Sequence, residues 1–108
     1  MHHDRWVVAE TMKHFFRTQL TPAQVIGAAD EFFPTLQLSA KSAGDRAREF
    51  SGELGLLLLS ARPEGGHNTF VEASTDQIGE SRLDRNVKRF FVKLHRMSDP
   101  RHELEAAY

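Results

Sequence analysis

Cysteine is absent from this 108-residue chain. That excludes a disulfide framework, a thiolate zinc site and a cysteine nucleophile together, and it suits a reducing, cytoplasmic setting. Long apolar runs are missing as well. The longest, Leu54 to Leu59, is interrupted by Gly55 and falls far short of the ~20 residues that a membrane-crossing helix needs. Met1-His2-His3-Asp4-Arg5-Trp6 has no apolar stretch before a cleavage site, so no secretory signal is expected. Neither charge dominates: 14 Lys and Arg stand against 15 Asp and Glu, for a net charge of −1. A chain built to wrap nucleic acid usually shows a clear basic excess, so nucleic acid is not the favoured partner.

Catalytic signatures are lacking too. Gly52, Gly55, Gly65 and Gly66 match neither common phosphate-loop spacing, and no nucleophile elbow surrounds a serine. Glu10 and His14 stand four apart, the spacing of a solvated surface contact on a helix. Of the six histidines, His3 in third position could complete a square-planar copper or nickel site with a free terminal amine, but the spacings of His2, His3, His14, His67, His95 and His102 are not those of a metal site. The reading is therefore non-enzymatic, with no catalytic residue, metal site or cofactor nominated.

What is present is a foldable core. Forty per cent of the residues are hydrophobic, and a single domain of this length buries about two-thirds of the surface of its unfolded chain. Val8, Ala9, Met12, Phe15, Phe16 and Leu20 recur at helical spacing and predict an amphipathic helix over Asp4 to Gln19. Thr21, Pro22 and Gln24 form a helix-start signal with a capping box, Val25, Ile26, Ala29, Phe32 and Phe33 supply the apolar stripe, and Pro34 stops it. The period then drops to two. Leu36, Leu38 and Ala40 predict one strand, Arg46 to Ser51 a second, Leu54 to Arg62 a third and Asn68 to Thr75 a fourth, separated by turns at Gly44-Asp45, Gly52-Glu53 and Pro63 to Gly66. Ser81 and Asp84 resemble a capping box ahead of Leu83, Val87, Phe90, Leu94 and Met97, a long final helix ended by Asp99-Pro100. One more turn or a tail is expected over 99–108. The expectation is a single α+β domain over 1–108: a meander of about four antiparallel strands, two N-terminal helices and one long C-terminal helix packed on it. In element order alone this is similar to the helix-grip ligand-binding proteins, which are longer, begin with a strand and have more strands. No site residue carries over from them.

Two features point to binding surfaces. Leu56 and Leu58 oppose Leu57 and Leu59 across the third strand, so both sheet faces are apolar there and each needs a cover: a helix of the same chain, a second subunit or an apolar ligand. Phe91 and Val92 lie off the apolar seam of the last helix, beside Phe90. Leu56, Leu57, Leu58, Leu59, Phe90 and Phe91 are thus the candidate contacts for a homodimer, the leading reading. An apolar small molecule held between sheet and helices, against Leu56, Leu58, Phe90 or Phe33, is the alternative. The second feature is Arg82, Arg85, Arg89, Lys93 and Arg96, which form one basic stripe on the last helix with only Glu80 and Asp84 as acidic neighbours. It is the candidate site for an acidic partner or nucleic acid, although no aromatic side chain interleaves it as a base-stacking platform requires.

Overall fold

The computed structural model describes residues 12–78 and 80–99. The first half of the expected N-terminal helix, Glu10, His2, His3 and the expected turn or tail from Pro100 onward lie outside them. The described chain runs β1 (Met12–Thr18), α1 (Pro22–Phe32), a 3-10 turn (Phe33–Leu36), β2 (Ser39–Ser42), β3 (Ala47–Gly52), β4 (Gly55–Pro63), β5 (Thr69–Thr75) and α2 (Arg82–Ser98). The class is α+β, with a five-stranded antiparallel sheet ordered β1-β5-β4-β3-β2.

The expected first helix is corrected. Met12–Thr18 is a strand whose residues alternate, with Met12, His14, Phe16 and Thr18 turned inward and Lys13, Phe15 and Arg17 exposed. Met12, Phe16 and Leu20 fit a helical stripe as well as one face of a strand, Phe15 fits only the helical stripe, and what decides is long-range pairing: β1 adds to β5 in register from Met12 opposite Thr75 to Thr18 opposite Thr69. Among the described residues the sheet thus has five strands rather than four, and their order begins with a strand.

The second expected helix is α1. Thr21 accepts from the Gln24 amide while the Gln24 side chain accepts from the Thr21 amide, the complete reciprocal box. Pro34 ends α1, but the chain tightens into a 3-10 turn before extending, so Leu36 belongs to that turn and not to a strand. The first meander strand shortens to Ser39–Ser42, exposed throughout, at the sheet edge. The β3–β4 hairpin closes on Gly55 at φ +132°, where a Cβ would stand 2.5 Å from the Gln77 side-chain Nε2.

Both helices lie on one face of the sheet. Phe50, Leu57, Leu59, Ala61, Val71 and Ala73 point to that face and are buried against Val25, Ile26, Ala29, Phe33, Leu83, Val87, Phe90 and Leu94. Phe33 sits at the centre, with its ring 5.0 Å from those of Phe32, Phe50 and Phe90. Arg48 fastens the margin, gripping the Asp30 carboxylate from Nε at 3.1 Å and donating to the Gly44 and Ala47 carbonyls. Neither helix provides the second cover expected for the leucine strand, since both lie on the face that bears Leu57 and Leu59.

Truncating the central ring will show this asymmetry. Phe33→Ala should cost about 3–5 kcal/mol in urea unfolding. Phe15→Ala, on the opposite face, should cost about 1 kcal/mol or less, the scale of a lost ring pair. Equal losses would contradict a one-sided core.

Candidate functional site

The inward alternation of β1 brings an imidazole under α2. His14 Nε2 lies 2.8 Å from Asp84 Oδ1, joining residues 70 apart in sequence, and the two side chains are 11% and 0% exposed. Thr75, at the end of β5, donates to Asp84 Oδ1 at 2.8 Å, and Ser81 donates to Oδ2 at 2.7 Å while accepting the Asp84 amide at 3.0 Å. The Ser81–Asp84 cap therefore differs from the expected reciprocal box: the carboxylate takes the serine hydroxyl and turns inward. Burial alone would push the Asp84 carboxyl up, but the bonds from His14, Ser81 and Thr75 outweigh it and hold the group below its ordinary value. The carboxylate is ionised, and Nε2 carries the proton it accepts.

This node was not visible as a pair. In a helix the natural partner for His14 is Glu10; in a strand it is whatever lies above the inner face. The available signal was an inward histidine between Met12 and Phe16, together with an acid on the shoulder of the Leu83–Val87 seam. The bonds from His14 and Thr75 to the Asp84 carboxylate make it a pin between β1, β5 and α2.

The outer face of α2 carries the expected stripe. Arg82, Arg85, Arg89, Lys93 and Arg96 are all exposed, and Lys88 joins them. Lys88 reaches Glu80 at 2.9 Å, whereas Asp84, the helix's own acid, is buried and offers the stripe no relief. Among the described residues no carboxylate lies within ion-pair reach of the other five cations. Like charges four apart, as at Arg85–Arg89 and Arg89–Lys93, cost an exposed helix about 0.2–0.5 kcal/mol each. Arg82 and Arg85 also oppose the positive end of the helix dipole. Neither helix stability nor the dipole accounts for the first half of the stripe.

The outer sheet face divides in two. On the β1 side Phe15, 55% exposed, stacks on Phe70 at 5.5 Å, and the Arg17 and Arg62 guanidinium groups lie 4.8 and 4.6 Å from the Phe70 ring centre. Further across, Leu56 and Leu58 are half-buried, and a hollow of about 260 Å³ opens beside Leu58, lined by Ala43, Ala47, Ser60, Glu72 and Ser74 among others. Two more polar hollows lie at the element ends, about 460 Å³ between Arg17, Asn68 and Asp99 and about 400 Å³ between Gln37, Glu53 and Arg82.

The six apolar candidates are thus separated. Leu57, Leu59 and Phe90 are buried in the core, Phe91 stacks on Phe16 at 5.0 Å, and only Leu56 and Leu58 reach the outer face. Leu56 and Leu58 are on the opposite side of the sheet from Phe33 and Phe90, so these four do not line one cavity. Among the described residues no three metal-ligating side chains converge, and no helix is long and apolar enough to cross a membrane. No family model and no curated protein matches the chain.

Removing the buried acid tests the pin. Asp84→Ala should cost about 3–5 kcal/mol, the usual loss on breaking a buried pair. Because the folded carboxyl lies below its unfolded value, its contribution is complete above about pH 5 and is lost as pH falls through the lowered value. Urea midpoints of the wild type and Asp84→Asn should therefore converge toward acid. A gap that stays constant down to about pH 2 would remove the ionised node.

Proposed function

We propose that this protein is a non-enzymatic interaction module that self-associates as a homodimer through the face of its sheet that neither helix covers. The observation that carries this is a projecting ring and an apolar hollow in one register row. Phe15 pairs with Glu72, Glu72 with Ser60, and Ser60 with Ala47. The exposed Phe15 ring stands at one end of that row, and the hollow beside Leu58 opens at the other. A two-fold axis parallel to the strands and crossing the middle of the row would seat each copy's Phe15 in the other's hollow. This is an isologous contact of the kind that closes dimers. Sheets stacked face to face sit about 10 Å apart with their side chains interdigitated, a spacing that suits a ring entering a shallow cavity. Leu56 and Leu58, left half-wet in one protomer, would complete the apolar centre. The absence of cysteine fits work in a reducing cytoplasm.

Light scattering on a size-exclusion column tests the proposal directly. The chain should elute at twice its 12.3 kDa mass. Leu58→Glu should elute as a folded monomer, because a carboxylate buried between two sheets loses its hydration. A strict monomer for the wild type at roughly 0.5 mM, a concentration at which even a dimer of about 0.1 mM affinity is mostly formed, would end this reading.

A further inference from the structure

We infer that the outer face of α2 is a docking surface for an acidic peptide segment of another protein. The inference is independent of the dimer, since α2 lies on the opposite face of the sheet. From Arg82 to Arg96 the cations follow the helix for about 21 Å at 1.5 Å per residue. Five of them meet no carboxylate of the described chain, and the one acid of the helix is held inward by His14, Thr75 and Ser81. Val92, 49% exposed, lies within the stripe and gives it an apolar centre ringed by Arg85, Lys88, Arg89 and Arg96. An apolar spot inside a charged rim is the pattern of a protein–protein interface.

The width of the strip selects its occupant. It is one helix wide. The neighbouring α1 exposes Asp30 and Glu31 and contains no lysine or arginine. A nucleic-acid duplex, whose phosphates border a groove about 12 Å wide, would bring one backbone toward those acids. A net charge of −1 adds nothing to hold it. No exposed ring stands on α2 to stack an unpaired base. An anionic membrane would need a broad apolar face, and the exposed apolar residues of α2 are Val92 and Met97 alone. A narrow chain of carboxylates with an aliphatic residue among them fits the length, width and charge of the strip.

Fluorescence anisotropy on the full chain at about 0.1 M salt provides the test, with a labelled oligoglutamate peptide about fifteen residues long, a DNA duplex of about fifteen base pairs, and phosphatidylserine vesicles compared in parallel. The peptide should bind, and tightest of the three. Arg85→Ala/Arg89→Ala/Lys93→Ala should weaken it about tenfold or more while leaving the circular dichroism spectrum unchanged. The matched variant Lys13→Ala/Lys41→Ala/Arg46→Ala removes the same charge from other exposed positions and should weaken it about twofold at most. Absence of peptide binding, equal losses in the two variants, or tighter binding of duplex or vesicles would each overturn the inference. Lys13 and Lys41 share the outer sheet face with Leu58, so light scattering on each variant keeps these outcomes separate from the oligomeric state.

Discussion

An ionised carboxylate with no exposure to water is tolerable only where donors replace its hydration, and Asp84 obtains them from three parts of the chain. His14 reaches it from the first strand, Thr75 from the last, and Ser81 from the turn that starts α2. The node therefore sets where β1 lies, where β5 ends and how α2 is rotated on the sheet. With Asp84 inward, Leu83, Val87, Phe90 and Leu94 follow into the core, and the opposite side of the helix is left with cations and no acid.

The same one-sidedness governs the sheet. β4 is apolar on both faces, but only the face bearing Leu57 and Leu59 receives the helices. Phe33, Phe50 and Phe90 pack together between sheet and helices, fully buried. The other face is managed by local means: Phe15 lies on Phe70, two arginines lie against that ring, and Lys13 stands 3.8 Å from Glu72. Those contacts cover the β1 side of the face and stop short of Leu58. On the sheet, the apolar surface left half-exposed is thus the part around Leu56 and Leu58, on the opposite side from the basic stripe of α2.

The parts of this architecture that could be read in advance were those with local causes. Thr21, Pro22 and Gln24 define the start of α1 through bonds within one turn, and the alternation of β3 to β5 between glycine-marked turns leaves little choice of register. The basic stripe was legible because a helix's exposed positions follow from its buried ones. β1 was not, because Met12, Phe16 and Leu20 satisfy a period of 3.6 as well as a period of two, Phe15 joins them only on a helix, and the arbiter, β5, lies more than fifty residues away. The His14–Asp84 bond was hidden for the same reason: neither residue has a sequence neighbour that identifies the other. Leu36 failed on a smaller scale, where Pro34 led to a tight 3-10 turn instead of an extended chain.

The placement of β1 has a consequence for how the molecule is made. Its hydrogen-bonding partner is the last of the described strands to leave the ribosome, and its histidine waits for a carboxylate 70 residues downstream. While the meander from β2 to β5 grows, the first strand is an unmatched edge in search of a template, and β5 is another. Closing that long loop is slow compared with forming the hairpins between. A nascent chain halted before Arg82 would carry the histidine with nothing to receive its proton, and would hold its two loose edges open to any neighbouring chain.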